Sequence, residues 1–415
     1  MKQILLVSGF VVAFALKGNT QTLSLENILQ AISVNHPAMK MYDADIRSMD
    51  EASKGARSWM PPELGTGFWM TPYDPSLWKK PAEGGTGMGQ YMISAQQMFP
   101  NKKEQLANEK YMQAASSASR ETKNATLNDL FFSAKKSYYS WLISDEKLRV
   151  LRENEQLLQF MLQSAELRYK NNLGKLDAYY KAKAALGKVA YKRIMMDNDI
   201  RQDRITLNTL MNRDKRIEFL IDSAYTIKDY TQADSNYFLQ SRSDIKAIER
   251  NIAITDLQQN LERTKLKPQF GLRYDHMFGF GGLPMQFSLM AMVRLPIAGW
   301  SSKMYQANIE SLTWKSASLA AQKQMMLNEA SSEQQSILSA IDSKKRQVEL
   351  YKKNIIPALQ KNFQSMQLSY EQNTGELFEL FDAWESLTMT QMEYLDQLQE
   401  LLMLQAEMDR ILEIK

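Results

Sequence analysis

The chain has 415 residues, 44% apolar and 24% charged, with a formal net charge of +4 that falls to +2 without Lys2 and Lys17 of the leader described next. Near-neutrality argues against a nucleic-acid binder, which carries a clustered basic footprint. The absence of cysteine excludes disulfide staples, thiolate metal sites and a lipid-modified N-terminal Cys.

Residues 1–20 read as a signal peptide. Lys2 precedes an apolar run from Ile4 to Leu16, and the small and polar Gly18, Asn19 and Thr20 follow. The run is too short to span a bilayer as a helix, so removal is expected near residues 18–21; the alternative is a buried N-terminal strand or helix. No later segment reaches 18 uninterrupted apolar residues, so a membrane crossing would have to be made by strands.

Residues 21–211 form a first structural repeat. Asn35-His36-Pro37-Ala38 opens a helix that ends at Pro61-Pro62. Strands are expected at about 64–70 and 90–98, separated by a Gly/Pro-rich loop from Thr71 to Gly89 and closed by Phe99-Pro100. From Asn101 to Asn172 there is neither Gly nor Pro, and Leu127, Phe131, Ala134, Tyr138 and Trp141 recur at helical spacing. Some 70 residues at 1.5 Å each give roughly 105 Å of helix, which must bury its apolar stripe on a neighbour alongside. Asn and Gly at about 171–175 mark the tip of a hairpin.

Residues 212–241 are an irregular connecting segment, and 242–415 repeat the layout. Arg242-Ser243-Asp244-Ile245 opens a helix that ends at Pro268, with the spacing from Ser243 to Pro268 equal to that from Pro37 to Pro62. Strands are expected at about 269–278 and 285–295, a second long helix follows Leu295-Pro296, and its hairpin turns at about 373–376. Between Ser301 and Asn373 the only breaker is Pro357. Leu167-Arg168-Tyr169, Gly174 and Ala182 align with Leu368-Ser369-Tyr370, Gly375 and Ala383 at one constant offset.

The strands alternate. Phe287, Leu289, Ala291, Val293 and Leu295 share one face, and Gln286, Ser288, Met290, Met292 and Arg294 the other. Phe270, Leu272, Tyr274 and Phe278 alternate with Gln269, Gly271, Arg273 and Asp275; Tyr91, Ile93 and Ala95 with Met92, Ser94 and Gln96; Leu64, Thr66 and Phe68 with Glu63, Gly65 and Gly67. With Trp69, Tyr73, Tyr91, Phe278 and Phe280 near the loops, this is the pattern of a transmembrane barrel, although a half-buried soluble sheet alternates in the same way. Arg273, Asp275, Gln286, Ser288, Met290, Met292 and Arg294 then line the lumen. Four strands leave two open edges that hydrocarbon does not tolerate, so three copies are expected to close a twelve-stranded barrel. The fold class expected is mainly α, with long helical hairpins and four transmembrane β-strands per chain.

The order of these marks, twice over, resembles the TolC family of outer-membrane factors across essentially the whole mature chain. The resemblance rests on the duplicated helix openings, the proline-bounded strand pairs, and the Tyr-x(4)-Gly segments ahead of Glu379-Leu380-Phe381-Asp382-Ala383. It implies a homotrimer in the outer membrane with helices reaching into the periplasm, a periplasmic adaptor and inner-membrane pump as partners, and hairpin tips that constrict the closed tunnel. The tip residues are Tyr169, Asn172, Gly174 and Lys175 in the first hairpin and Tyr370, Asn373, Gly375, Glu379 and Asp382 in the second. By position, Tyr370, Glu379 and Asp382 match the family's tip tyrosine and two acidic residues, which take part in closure. Asn373 stands near the family's tip glycine, and Asp177 falls opposite Phe378 rather than opposite either acid. An acidic tip suits a gate, because such pairs are salt-dependent and easily broken; the same carboxylates would also complement a helix dipole.

Nothing in the sequence supports an enzyme or a bound cofactor. The two histidines, His36 and His276, lie in different elements, and no phosphate loop, dinucleotide fingerprint or nucleophile elbow is present. The 26 methionines raise the question of soft metal ions, but without spacing for a convergent site they read as adaptable packing. A periplasmic adaptor would need one hairpin flanked by small β-domains, and a structural coiled-coil protein would lack both leader and alternating strands. The exported compound, drug or heavy metal, stays open.

Overall fold

The computed structural model describes residues 22–171, 176–372 and 374–414. The expected signal peptide and the tip positions Asn172, Gly174, Lys175 and Asn373 lie outside the described residues. The elements in order are β1 (Thr22–Leu23), α1 (Leu25–Asn35), α2 (Pro37–Lys54), β2 (Glu63–Trp69), β3 (Gln90–Phe99), α3 (Lys102–Lys170), α4 (Leu176–Leu210), β4 (Leu220–Ile221), α5 (Ser235–Ser241), α6 (Ser243–Lys265), β5 (Gln269–Gly279), β6 (Gln286–Arg294), α7 (Gly299–Leu350), a π turn (Tyr351–Ile355), α8 (Ile356–Glu371) and α9 (Leu377–Leu412). Among the described residues no helix is long and apolar enough to cross a membrane.

Local chemistry sets these bounds. Ser24 caps α1 by accepting from the Asn27 amide at 3.3 Å, and Pro37 ends it by opening α2, where a missing amide proton costs nothing. The Asn101 side chain accepts from the Lys103 amide at 2.9 Å and starts α3, whose 69 residues extend about 104 Å. Pro357 has no counterpart in α3. Its ring would collide with the carbonyl four residues earlier, and the helix accommodates it by widening into the π turn just upstream, where the Ile356 amide bonds back to Tyr351.

The chain divides into two compact units that cut across the repeats, because α3 and α7 each contribute to both. One unit combines the described residues up to His36 with 130–230 and 337–408. It holds residues 212–230 of the connecting segment, which contain a short strand. β4 pairs in parallel with β1, too short a ladder for any periodicity to announce. Phe219 is buried against Trp141, with ring centroids 5.0 Å apart, and the Tyr138 hydroxyl donates to the Asp222 carbonyl at 2.5 Å.

The same unit carries a perturbed acid. Burial pushes the Asp203 carboxyl up to about 6, with the nearby Asp199 charge adding to the rise and the Ser140 and Ser137 hydroxyls opposing it. A carboxyl whose folded value is raised binds its proton more tightly folded than unfolded. Its contribution is therefore most favourable below pH 4 and declines as pH rises from about 4 to about 6. Asp203→Asn is expected to flatten the fall in melting temperature across that window; an unchanged slope would remove Asp203 as its cause.

The other unit comprises 37–129, 231–336 and 409 to the C-terminal residues. Here α2 is tied to the start of α3 by Tyr42–Thr126, Lys123–Asp43 and Arg120–Asp50, and α6 to the start of α7 by Gln259–Thr313 and Lys323–Glu249. Glu413 accepts from both the amide and the hydroxyl of Ser243, which pins the end of α9 to the start of α6. α2 leads into β2 and α6 into β5, and the four strands form one antiparallel sheet in the order β2-β3-β5-β6.

Candidate functional site

Two regions of the fold carry the polar chemistry. The first is the sheet. Its register aligns Leu64, Ala95, Tyr274 and Leu289 in one cross-strand row and Thr66, Ile93, His276 and Phe287 in the next. These rows belong to an apolar face that is open to its surroundings, with Leu64 77%, Phe287 70% and Leu289 60% exposed. His276 lies on this face, stacked on Tyr274 and edge-on to Phe278, where the strand pattern had left it unassigned.

The opposite face is polar. Glu63, Gln96, Arg273 and Met290 form one row, and Gly65, Ser94, Asp275 and Ser288 the next. All seven residues expected at the lumen, Arg273, Asp275, Gln286, Ser288, Met290, Met292 and Arg294, fall on this face. Arg273 donates to Asp275 at 2.9 Å, and Asp275 is only 2% exposed, so the ion pair is held within the sheet's own side-chain layer. Gln90 donates to Gln286 at 3.2 Å. At the loop end Trp78 stacks on Phe280, and Gly87 donates to the Gly281 carbonyl at 2.9 Å. A side chain on Gly281, at φ +57, would collide with the Trp78 carbonyl.

The second region lies near the hairpin tips, where α3, α4, α8 and α9 share a buried cluster. Leu151, Leu158, Met161, Ala182, Ala185, Val189, Tyr370, Leu380, Phe381 and Trp384 belong to it. Tyr370 is 6% exposed, bonded through its hydroxyl to Ser164 at 2.6 Å and covered by the Arg168 guanidinium at 5.1 Å. Tyr169, its repeat equivalent, is exposed. Gly375 and Thr374 both donate to the Ser369 carbonyl and close the end of α8. Glu379 sits exposed in the first turn of α9, where its charge complements the helix dipole.

Asp382 has a cationic partner within the chain. Lys181 of α4 donates to it at 3.1 Å and lies over the rings of Phe378 and Phe381 at 3.8 and 4.5 Å. Lys181 and Asp382 stand at the same offset, 201 residues, that relates the two tips, so equivalent positions of the repeats carry opposite charges and meet. That offset was the signal that could have singled out Lys181. Deeper in the cluster, Asn154 accepts from the Trp384 indole at 2.5 Å, lies 2.7 Å from the Thr388 hydroxyl, and donates to the Val150 carbonyl at 2.7 Å. Asn154 occupies an apolar place in the stripe Leu151, Asn154, Leu158, Met161, and that misfit is its mark in the sequence.

With this geometry in hand, residues 28–213 match the family model described as "Outer membrane efflux protein". The match spans 186 of the 415 residues, just under half of the chain. Solved structures extend the likeness of fold to the second half. The chain is 14% identical to the outer-membrane channel OprN, covering 94% of this chain and 89% of that one with a TM-score of 0.75. It is 15% identical to the outer membrane protein VceC of Vibrio cholerae (94% and 95% covered, TM-score 0.71) and 14% identical to the MtrE outer membrane channel of Neisseria gonorrhoeae (94% and 88%, TM-score 0.72). No curated protein matches the sequence.

Proposed function

We propose that this chain is an outer-membrane protein with helices extending into the periplasm, a homotrimeric channel subunit of a tripartite export system. It would receive small molecules or metal ions from a periplasmic adaptor and an inner-membrane pump and release them outside the cell. The observation that carries this reading is the sheet: β2 and β6 are each paired on one side only among the described residues, and the sheet's apolar face is exposed. In hydrocarbon, unpaired backbone groups cost several kcal/mol each, so the sheet is stable there only if neighbouring copies continue it into a closed ring. Three copies supply twelve strands, within the range of bacterial barrels. The polar face then lines the lumen.

The hairpin tips act as the gate in this reading. In the Lys181–Asp382 pair the carboxylate is exposed and the ammonium partly so, and the pair contributes no more than about 1 kcal/mol, a contact that a docking adaptor can exchange for its own. Ser164–Tyr370 and the asparagine beneath hold the two hairpins of one chain together when that pair opens. Single-channel conductance of detergent-purified protein in planar bilayers tests both parts. Wild-type protein is expected to run as a trimer and to open small channels. Glu379→Ala/Asp382→Ala is expected to open larger ones. A water-soluble monomer without channel activity would overturn the barrel; unchanged conductance in the double variant would overturn the gate and leave Glu379 only its dipole role.

A further inference from the structure

Within the four strands there are five methionines, Met92, Met98, Met277, Met290 and Met292, and the register puts every one on the polar face. Within the strand bounds the apolar face, where packing or lipid would accept a thioether readily, has none; Met285, 70% exposed, stands just outside β6. Methionine serving as adaptable filler would be expected on the apolar side or on both. Here it shares a face with Gln, Ser, Arg, Asp and Glu.

The sheet also brings four of these thioethers together in pairs. Met92 and Met277 are direct cross-strand partners, with Cβ atoms about 5 Å apart in such a pair. Met98 and Met292 lie on strands either side of Gly271 in a single row, where backbones two strands apart stand roughly 10 Å from each other. Gly271 removes that separation. The Met98 sulfur occupies the space that a side chain on Gly271 would fill, and the Met292 methyl is 3.1 Å from the same point, so the two thioether ends lie within about 6 Å of one another. A larger residue at 271 would drive them apart.

We infer that these pairs, Met98–Met292 over Gly271 and Met92–Met277, are two binding sites for a soft monovalent cation, Cu(I) or Ag(I), on the polar face of the sheet. Thioether sulfur is a soft, neutral donor that favours such ions over Zn(II), Mg(II) or Ca(II), and low coordination numbers suit a two-sulfur site. Neutral donors bind a cation without the electrostatic well of carboxylates, which allows it to leave again, as conduction requires. This assignment rests on the channel reading only for its consequence: if the polar face lines a lumen, the pairs form stepping sites for soft-metal export.

The test uses the full-length protein in detergent, titrated with silver nitrate in chloride-free buffer and followed by calorimetry and by Ag–S scattering in X-ray absorption. Met98→Leu/Met292→Leu and Met92→Leu/Met277→Leu conserve volume and are each expected to lower strong Ag(I) uptake from about two ions per chain to about one. Gly271→Ala, which leaves all sulfurs in place, is expected to lose the same ion as the first double variant. Bilayer conductance of each variant separates the two readings: channels that form normally but no longer take up Ag(I) support both, and Ag(I) uptake that depends on the pairs in a protein without conductance supports the sites and not the channel. Ag(I) uptake unchanged in all three variants would overturn the sites.

Discussion

Lysine at Leu289 is expected to abolish insertion of the protein into the outer membrane, and lysine at the adjacent Met290 to leave insertion intact. The two side chains are neighbours on β6 but point to opposite faces of the sheet, Leu289 in the row with Leu64, Ala95 and Tyr274, and Met290 in the row with Glu63, Gln96 and Arg273. A lysine facing lipid near the bilayer midplane costs about 2–4 kcal/mol in each chain, a penalty repeated three times in a trimer. On the polar face the same ammonium stays hydrated. Fractionation of cells expressing each variant, with heat-modified mobility as the measure of assembly, decides the matter. Equal assembly, or failure of both, would mean the face assignment is wrong.

The second large effect is expected at Asn154. Asn154→Ala leaves the Trp384 indole N–H without its acceptor inside a region where Asn154, Trp384 and Thr388 are all buried. The Thr388 hydroxyl retains the Trp384 carbonyl at 2.9 Å, so one orphaned donor dominates, and an unsatisfied buried donor together with the lost packing costs about 2–4 kcal/mol. Removing both polar partners, as in Asn154→Leu/Trp384→Phe, is expected to recover part of that loss, because no donor is then left unpaired. Thermal melts of the detergent-solubilised protein give the comparison. If the double variant melts no higher than Asn154→Ala, the cost lies in shape rather than in the hydrogen bond.

Much of this arrangement could be read from spacing alone. The Gly- and Pro-free stretch from Asn101 to Asn172 becomes α3, and the alternation of Phe287 to Val293 against Gln286 to Arg294 becomes the two faces of β6. Both signals are periodic and long, which is why they survive without knowledge of neighbours. The contacts that join the hairpins were not legible in the same way. Ser164 and Tyr370, or Asn154 and Trp384, are about two hundred or more residues apart, and no local pattern states that they meet. Lys181 carries no local mark, since a lysine on a long helix is ordinarily a solvated charge, and only the repeat offset ties it to Asp382. The pairing of Met98 with Met292 depends on the register of three strands and on the empty place at Gly271, which the sequence shows only as one glycine among many.

The π turn at Tyr351–Ile355 has a consequence beyond tolerating Pro357. It houses one residue more than an α-helical path of the same rise, so α8 sets out rotated by roughly 100° from the direction it would take as a simple continuation of α7. The azimuth at which Tyr370 meets Ser164, some fifteen residues further on, is thus dialled in by a single surplus backbone unit. Excising one residue from that turn would keep every side chain of the tip in the sequence and swing the tyrosine away from its serine, a frameshift in angle rather than in reading.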